Sequence, residues 1–307
     1  MHGIASGEHG EVIATSPVSG FGDLVSQDGR YQVTVATSEA LDLFARSFAA
    51  GPKRTEIPSK LFRGSHPAIA ADQTLDIDFD RDGVAPQTVA LTVAGGGGEP
   101  VTIITSIVTS TATIQLARQR YEGTLPSDYL APAVSQSAPG DLLQLHVTTL
   151  LDASGPAYAY RNADTYHAVA AAQTVELPAP WSVDPPTLTA TGARRPAFVF
   201  PVAADAKPTQ HYEAQVTANA QLDPSLPLDT RYSKVLISGR YAAGQLRFTF
   251  AAPDLSALAG WSDAMGLPAG TSVAWYILLA ENDVASPSHA SDGDFKSNTV
   301  VGGILPP

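Results

Sequence analysis

Cysteine is absent from this 307-residue chain, and charged side chains make up only 16% of it. The lack of cysteine excludes disulfide bonds, thiolate metal sites and a cysteine nucleophile. Basic residues are also scarce, because 18 lysines and arginines stand against 30 aspartates and glutamates and leave a net charge of −12. A field of that sign repels nucleic-acid phosphates and anionic lipid surfaces, so we predict no nucleic-acid partner.

Long apolar runs are missing as well. No run of eighteen apolar residues occurs, so we predict no membrane-spanning helix. Residues 1–12 lack the basic and apolar regions of a signal peptide, so we expect any export signal to have been removed before this sequence begins. A lipid anchor in the full-length precursor stays open.

The residues that are abundant indicate a β protein with many turns. Hydrophobic residues make up 44% of the chain, and 24 prolines and 25 glycines interrupt the apolar stretches. This composition, with apolar stretches separated by turn residues, predicts an all-β fold of tandem antiparallel β-sandwich domains. A chain of this length is more than one hydrophobic core usually organises, which favours two or three domains.

Two breaks predict three domains. Four glycines in the segment 95–100 cannot hold a packed element together, and the proline-rich segment 178–186 is typical of a stiff linker. We therefore predict β-sandwich domains over residues 1–94, 95–182 and 183–307.

Alternating apolar residues predict the strands of each domain. In the first domain the alternating sets are Tyr31, Val33 and Val35, then Leu41, Leu43 and Ala45, and finally Leu75, Ile77 and Phe79. Later strands are predicted within residues 101–116, 142–147, 165–177, 197–202, 211–218, 234–237, 246–250 and 273–280. One short helix is predicted near residues 254–265, with Asp254 as its N-cap and Gly266 as its end.

The first domain carries the segment Asp28-Gly29-Arg30-Tyr31, a turn that leads into an alternating strand. Residues 10–80 thereby resemble the transthyretin-like or carboxypeptidase-regulatory-like β-sandwich modules. The resemblance implies a prealbumin-like or Ig-like scaffold and an exported protein, and it transfers no catalytic residue.

The whole chain is also similar to uncharacterised predicted surface lipoproteins of some Gram-negative bacteria. The similarity rests on the Asp-Gly-Xaa-Tyr module, the threonine-rich strands and the segment Pro253-Asp254-Leu255-Ser256-Ala257-Leu258-Ala259-Gly260-Trp261. It implies an extracytoplasmic location at the cell surface, in the periplasm or in the medium.

One segment matches the opening of a calcium-binding loop. Asp78, Asp80 and Asp82 stand at alternate positions before Gly83, which allows a sharp turn. Position twelve holds Val89 where a bidentate glutamate belongs. Calcium is therefore a possible cofactor, and a solvated strand edge is the alternative.

No catalytic residue is predicted. The chain has no Gly-Xaa-Ser-Xaa-Gly segment, and the glycines of residues 95–98 are followed by no lysine. Asp164 and His167 are close in sequence, but an isolated pair of this kind usually forms a surface hydrogen bond.

Tyr158 and Tyr160 are candidate ligand-binding residues, because alternate residues of a strand face the same side. Exposed tyrosines on a rigid β face can stack on sugar rings or pack against a protein. The leading hypothesis is a non-enzymatic extracytoplasmic structural or binding protein with an unknown protein or glycan partner. The alternatives are a secreted hydrolase or carbohydrate-active enzyme and a calcium-stabilised adhesin.

Overall fold

A computed structural model describes residues 2–4, 10–16, 20–25, 30–34, 40–48, 57–68, 73–152, 157–189, 194–203, 207–220, 229–262, 265–282 and 287–307. Strands account for about 58% of the structure and helices for about 4%. The predicted all-β class is thereby confirmed. No helix among these residues is long and apolar enough to cross a membrane.

The strands, in chain order, are β1 (His2–Ile4), β2 (Gly10–Thr15), β3 (Gly20–Val25), β4 (Arg30–Gln32), β5 (Leu41–Phe48), β6 (Pro58–His66), β7 (Gln87–Ala94), β8 (Val101–Val108), β9 (Thr113–Tyr121), β10 (Asp128–Ala131), β11 (Leu142–Asp152), β12 (Ala157–His167), β13 (Gln173–Glu176), β14 (Thr187–Leu188), β15 (Pro196–Pro201), β16 (Gln210–Ala220), β17 (Asp229–Ser238), β18 (Arg247–Ala251), β19 (Val273–Asn282) and β20 (Phe295–Leu305). The helical segments with described bounds are α1 (Gly239–Ala242) and the 3-10 turns Val134–Gln136 and Pro287–His289.

The chain divides into two compact units. Unit 1 comprises Met1–Thr148, Ala163–Glu176 and Val284–Phe295, and unit 2 comprises Thr149–Asn162, Leu177–Asp283 and Lys296–Pro307. Each of the strands β11, β12 and β20 contributes residues to both units. The division into three domains stays a prediction.

Unit 1 is built on a four-stranded antiparallel sheet in the order β3-β2-β5-β6. It also contains the ribbon β1-β4, a three-stranded sheet in the order β10-β7-β13, and the strands β12-β11-β8-β9. The β13-β7 pair is parallel, whereas β7 and β10 are antiparallel.

The strand β5 is buried on both faces of its sheet. Leu43 and Ala45 are buried as predicted, in a cluster with Val12, Ala14, Tyr31, Val33, Ile77 and Phe79. Phe44 points to the other side and is also buried, together with Ile107, Ile114 and Leu116 of β8 and β9. The alternation predicted one covered face, and the second face is covered because the β8-β9 hairpin packs on it.

The predicted strand through Leu75, Ile77 and Phe79 is corrected in part. Ile77 and Phe79 are buried as expected. However, only isolated bridges occur, at Thr74 and Ile77, and residues 79–82 form turns. Tyr31 donates a 2.6 Å hydrogen bond to the carbonyl of Leu75 and so ties this segment to the core. The Asp28-Gly29 turn and Val35 lie outside the described residues.

Unit 2 has two sheets that share one core. The larger contains the strands β17-β16-β19-β20-β12 in that order, and the smaller is β14-β15-β18. Phe198, Phe200 and Phe248 of the smaller sheet pack with residues of the larger, namely Tyr212, Ala214, Val216, Ala218, Ile237, Val273, Trp275, Ile277 and Val301. Alternation along each strand therefore leaves the opposite face of the larger sheet outside this core.

The helix predicted near residues 254–265 is wrong for the described part of that segment. Among its described residues, 256–260 form turns and bends, with bonds from Leu258 N to Leu255 O and from Trp261 N to Leu258 O. Asp254 does accept a hydrogen bond from Ser256 N at 3.0 Å, as an N-cap would. Gly260 has a φ of +82°, which is incompatible with an α-helix, so the turn ends there. The described α-helix is α1, whose N-cap is Ser238.

Candidate functional site

A tyrosine face lies on the outer side of the larger sheet of unit 2. We define it by Tyr158, Tyr160, Leu236, Tyr276 and Ile304, which alternate with residues that enter the core of this unit. Leu236 and Ile304 are 63% and 56% exposed, respectively. Exposed apolar and aromatic side chains that share one sheet face are typical of a binding surface.

Tyr158 and Tyr160 are brought together, as their spacing predicts. Their ring centroids lie 6.0 Å apart and their planes differ by 8°. Tyr158 is 37% exposed and Tyr160 is partly buried. Burial raises the pKa of both phenols, so both remain hydrogen-bond donors at neutral pH.

Gly302 lies directly beneath the ring of Tyr158. A Cβ atom at this position would lie 2.6 Å from the Cζ and Oη atoms of Tyr158 and 2.7 Å from the carbonyl oxygen of Trp275. Real Cβ atoms do not approach other atoms so closely. The glycine is therefore required for the tyrosine ring to lie against the sheet, in the way aromatic residues cover glycines in neighbouring strands.

Tyr276 links the face to a charged pair. Its hydroxyl donates a short hydrogen bond to Glu213 and lies 3.3 Å from Oε1 of Gln215. The ammonium group of Lys234 lies 2.7 Å from the same Glu213 carboxylate. Three strands thus contribute to one hydrogen-bonded network, since the register of the sheet places Tyr276 opposite Gln215 and Gln215 opposite Lys234.

The pKa values of Tyr276 and Glu213 are shifted in opposite directions. Burial, followed by the hydrogen bond to Glu213, raises the pKa of Tyr276 well above its usual range. Burial opposes ionisation of Glu213, but the hydrogen bonds from Lys234 and Tyr276 outweigh it and lower the pKa of that carboxyl group. At neutral pH the tyrosine therefore stays protonated and the glutamate ionised.

The candidate calcium loop brings Asp78, Asp80 and Asp82 into one turn but engages each carboxylate within the protein. Asp78 Oδ1 accepts hydrogen bonds from the backbone of Asp80 and Arg81 at 2.9 and 3.3 Å. Lys60 lies 2.6 Å from Asp80, and the guanidinium of Arg81 contacts both oxygens of Asp82. These hydrogen bonds lower the pKa of Asp80 and Asp82.

A glycine is needed at position 83, directly after the turn, because the backbone there passes close to Phe79. A Cβ atom there would lie 2.5 Å from the Phe79 carbonyl oxygen. Across the described part of the chain, no group of three or more histidine, cysteine, aspartate or glutamate side chains is placed to hold a metal ion. A calcium ion in this loop stays a prediction.

Asp164 pairs with a histidine other than the one suggested by sequence proximity. His146 Nδ1 lies 2.9 Å from Asp164 Oδ1, and the amide of Gln144 donates to the same oxygen at 2.8 Å. His167 is instead partly buried, and this burial lowers its pKa, with Asp292 acting in the opposite direction. The Asp164–His167 pair considered above does not form.

Tyr158 and Tyr160 are marked by their spacing in the sequence, whereas the roles of Tyr276 and Gly302 are not. Tyr276 lies in the strand predicted over residues 273–280, whose apolar sequence does not show which face Tyr276 occupies. The pairing of β19 with β16 places it beside Gln215 on the outward face. A glycine inside a strand is a weak signal of close approach by another group, and Gly302 carried that signal.

Scans against protein-family models and a search of curated proteins find no match for this chain.

Proposed function

We propose that this chain is a non-enzymatic extracytoplasmic binding protein, and that its tyrosine face binds a glycan. The observation that carries the proposal is the pair of nearly parallel rings of Tyr158 and Tyr160 on an outward sheet face. An exposed ring face of such a pair presents an apolar plane on which a sugar ring can stack.

Polar groups around the rings suit a sugar ligand. The carboxylate of Glu213, the ammonium of Lys234 and the amide of Gln215 lie around Tyr276 and match the hydroxyl groups that border each apolar sugar face. Ligand sites combine apolar planes with a few placed polar groups in this way. The centre of a protein interface is depleted of charged residues, whereas Glu213 and Lys234 lie beside Tyr276.

The extracytoplasmic location and the sandwich architecture are part of the same proposal. Support comes from the resemblance of residues 10–80 to exported β-sandwich modules. Fractionation of the cells that naturally make this protein tests the location, because an exported protein is recovered outside the cytoplasm and a cytoplasmic one is not.

Titration calorimetry with cellohexaose, chitohexaose and maltohexaose tests glycan binding. Loss of one stacking ring in Tyr158→Ala or Tyr160→Ala should weaken the best of these ligands by about ten-fold. Tyr241→Ala is the matched control, since Tyr241 is exposed in the same unit and lies outside the tyrosine face.

Equal losses in Tyr158→Ala and Tyr241→Ala, or no binding of any neutral oligosaccharide, would reject the tyrosine face as a glycan site. The non-enzymatic part has its own test. Release of new reducing ends from any of the three probes during long incubation would show that the chain is a hydrolase.

A further inference from the structure

A second candidate site is a cleft of about 550 Å³ in unit 2. Its walls come from Arg195, which precedes β15, from Arg231 of β17, and from the segment between Asp254 and Trp261. This volume lies within the range of small-molecule sites. The cleft contains none of the five residues that define the tyrosine face.

The charge of the cleft is opposite to that of the protein. Arg194, Arg195 and Arg231 line it, and Asp254 is the sole carboxylate among its described lining residues. The chain as a whole carries a net charge of −12 with only 18 basic residues. Arginines outnumber carboxylates three to one among the described lining residues, which favours an anionic ligand.

Arg194 is held in place by neutral groups. Its Nη1 atom donates to the carbonyl oxygens of Thr271 at 2.7 Å and Pro268 at 3.4 Å, and its Nη2 atom donates to that of Pro306 at 3.4 Å. Carbonyl oxygens orient the guanidinium without cancelling its charge. Arg194 therefore keeps its positive charge beside the cleft.

Arg195 is paired only loosely. Its Nη1 atom lies 3.4 Å from Oδ2 of Asp254, whose side chain is 59% exposed. The other oxygen of Asp254 accepts the hydrogen bond from Ser256 N. Since exposed ion pairs contribute little, an incoming carboxylate can compete with Asp254 for this arginine.

The rest of the lining fits a ring with hydroxyl groups. Trp261 contributes a partly buried indole, and Ser233 and Ser256 contribute hydroxyls that can donate or accept hydrogen bonds. Arginine forks bind carboxylates with two parallel hydrogen bonds. A uronate can use the arginines, the serine hydroxyls and the indole together, whereas inorganic phosphate offers nothing to stack on Trp261.

We propose that this cleft binds the uronate units of an acidic oligosaccharide. The carboxylate of one unit lies on the guanidinium groups of Arg195 and Arg231, and the sugar ring stacks on Trp261. The site is distinct from the tyrosine face, so neutral-glycan binding and its loss in Tyr158→Ala have no bearing on it.

Titration calorimetry with trigalacturonate at about 50 mM salt, where screening of charges is modest, tests this proposal. Arg195→Gln and Arg231→Gln should each weaken binding by about ten-fold or more, because each removes a charge-assisted hydrogen bond. Arg247→Gln is the matched control, since Arg247 is 61% exposed and does not line the cleft. It should change the affinity by less than about two-fold, as expected of one screened surface charge.

Asp254→Asn is expected to change trigalacturonate affinity in the opposite direction. A variant that only damages the fold would weaken binding, so a gain in affinity separates the two causes. Removing the carboxylate that competes for Arg195 should tighten trigalacturonate binding. Asp184→Asn is its control, because Asp184 is 86% exposed and outside the cleft.

Three further ligands test which class of molecule the cleft binds. Maltotriose should not bind in the cleft, and inorganic phosphate and triglutamate should displace trigalacturonate only at much higher concentration. The proposal is overturned if trigalacturonate does not bind, if Arg247→Gln weakens it as much as Arg195→Gln, or if Asp254→Asn does not strengthen it. Equal competition by phosphate or by triglutamate would also overturn it, in favour of a general anion site or an acidic-peptide site respectively.

Discussion

Replacement of Asp141 by alanine tests the buried ion pair of unit 1. The guanidinium of Arg63 contacts the carboxylate of Asp141, and the exposed fractions of the two side chains are only 11% and 7%. Arg63 also lies 4.8 Å from the centre of the Phe44 ring, and its next carboxylate, that of Asp42, is 3.5 Å away. Asp141 in turn accepts a 2.6 Å hydrogen bond from Ala138 N.

The expected loss follows from what remains after the substitution. Arg63 keeps Asp42 and the Phe44 ring but loses its nearer carboxylate, and removing one partner of a buried pair costs about 3–5 kcal/mol. We expect about 3 kcal/mol, the lower end, because Asp42 still compensates part of the charge. Asp141→Asn keeps the shape and an acceptor for the amide, and it should cost about 1–2 kcal/mol.

Hydrogen exchange of the amides of β6 is the appropriate measurement, because it reports opening of the strand that carries Arg63 without assuming that the two units unfold together. Glu122→Ala is the control. Glu122 pairs with Arg120 at 2.7 Å in the same unit, but both side chains are more than half exposed. That pair should contribute less than about 1 kcal/mol. The reasoning fails if Asp141→Ala reduces the opening free energy no more than Glu122→Ala does.

Three other outcomes follow from the packing. Phe200→Ala should lower the free energy of unfolding by about 3–5 kcal/mol, because the Phe200 side chain is fully buried. Its ring centre lies 5.8 Å from that of Trp181, so denaturation followed by tryptophan fluorescence measures this loss of stability. Gly302→Ala should displace the Tyr158 ring and lower stability; unchanged near-ultraviolet circular dichroism and melting temperature would contradict this. Burial lowers the pKa of His167 below its usual 6.5, so its contribution to stability is full above that pH and falls on acidification. In His167→Asn the stability should fall less steeply from about pH 7 to pH 5, and an unchanged slope would refute the assignment.

Part of the candidate site could be predicted from local spacing. Tyr158 and Tyr160 are separated by one residue, and any extended strand turns both to the same side. Gly302 and Tyr276 come from other strands, and no local pattern links them to Tyr158. Their position depends on which strands are neighbours in the sheet, which the sequence around each residue does not encode.

The helix expected near residues 254–265 shows the opposite situation, in which a local pattern was misleading. Leu255, Leu258 and Trp261 have helical spacing, but turn bonds and Gly260 give the segment a different path. A spacing of three residues also fits successive i→i+3 turns. Hydrophobic periodicity over so short a segment cannot separate the two.

Composition and period-two alternation by themselves determined that this protein is all-β and acidic, and that Leu43, Ala45 and Ile77 would be buried. Those properties depend on each residue and its near neighbours in sequence. Tertiary structure alone decided that the second face of β5 is covered, that Asp164 meets His146, and that three arginines converge on one cleft. Such contacts join residues far apart in the chain, so they are settled by how whole strands pair and pack.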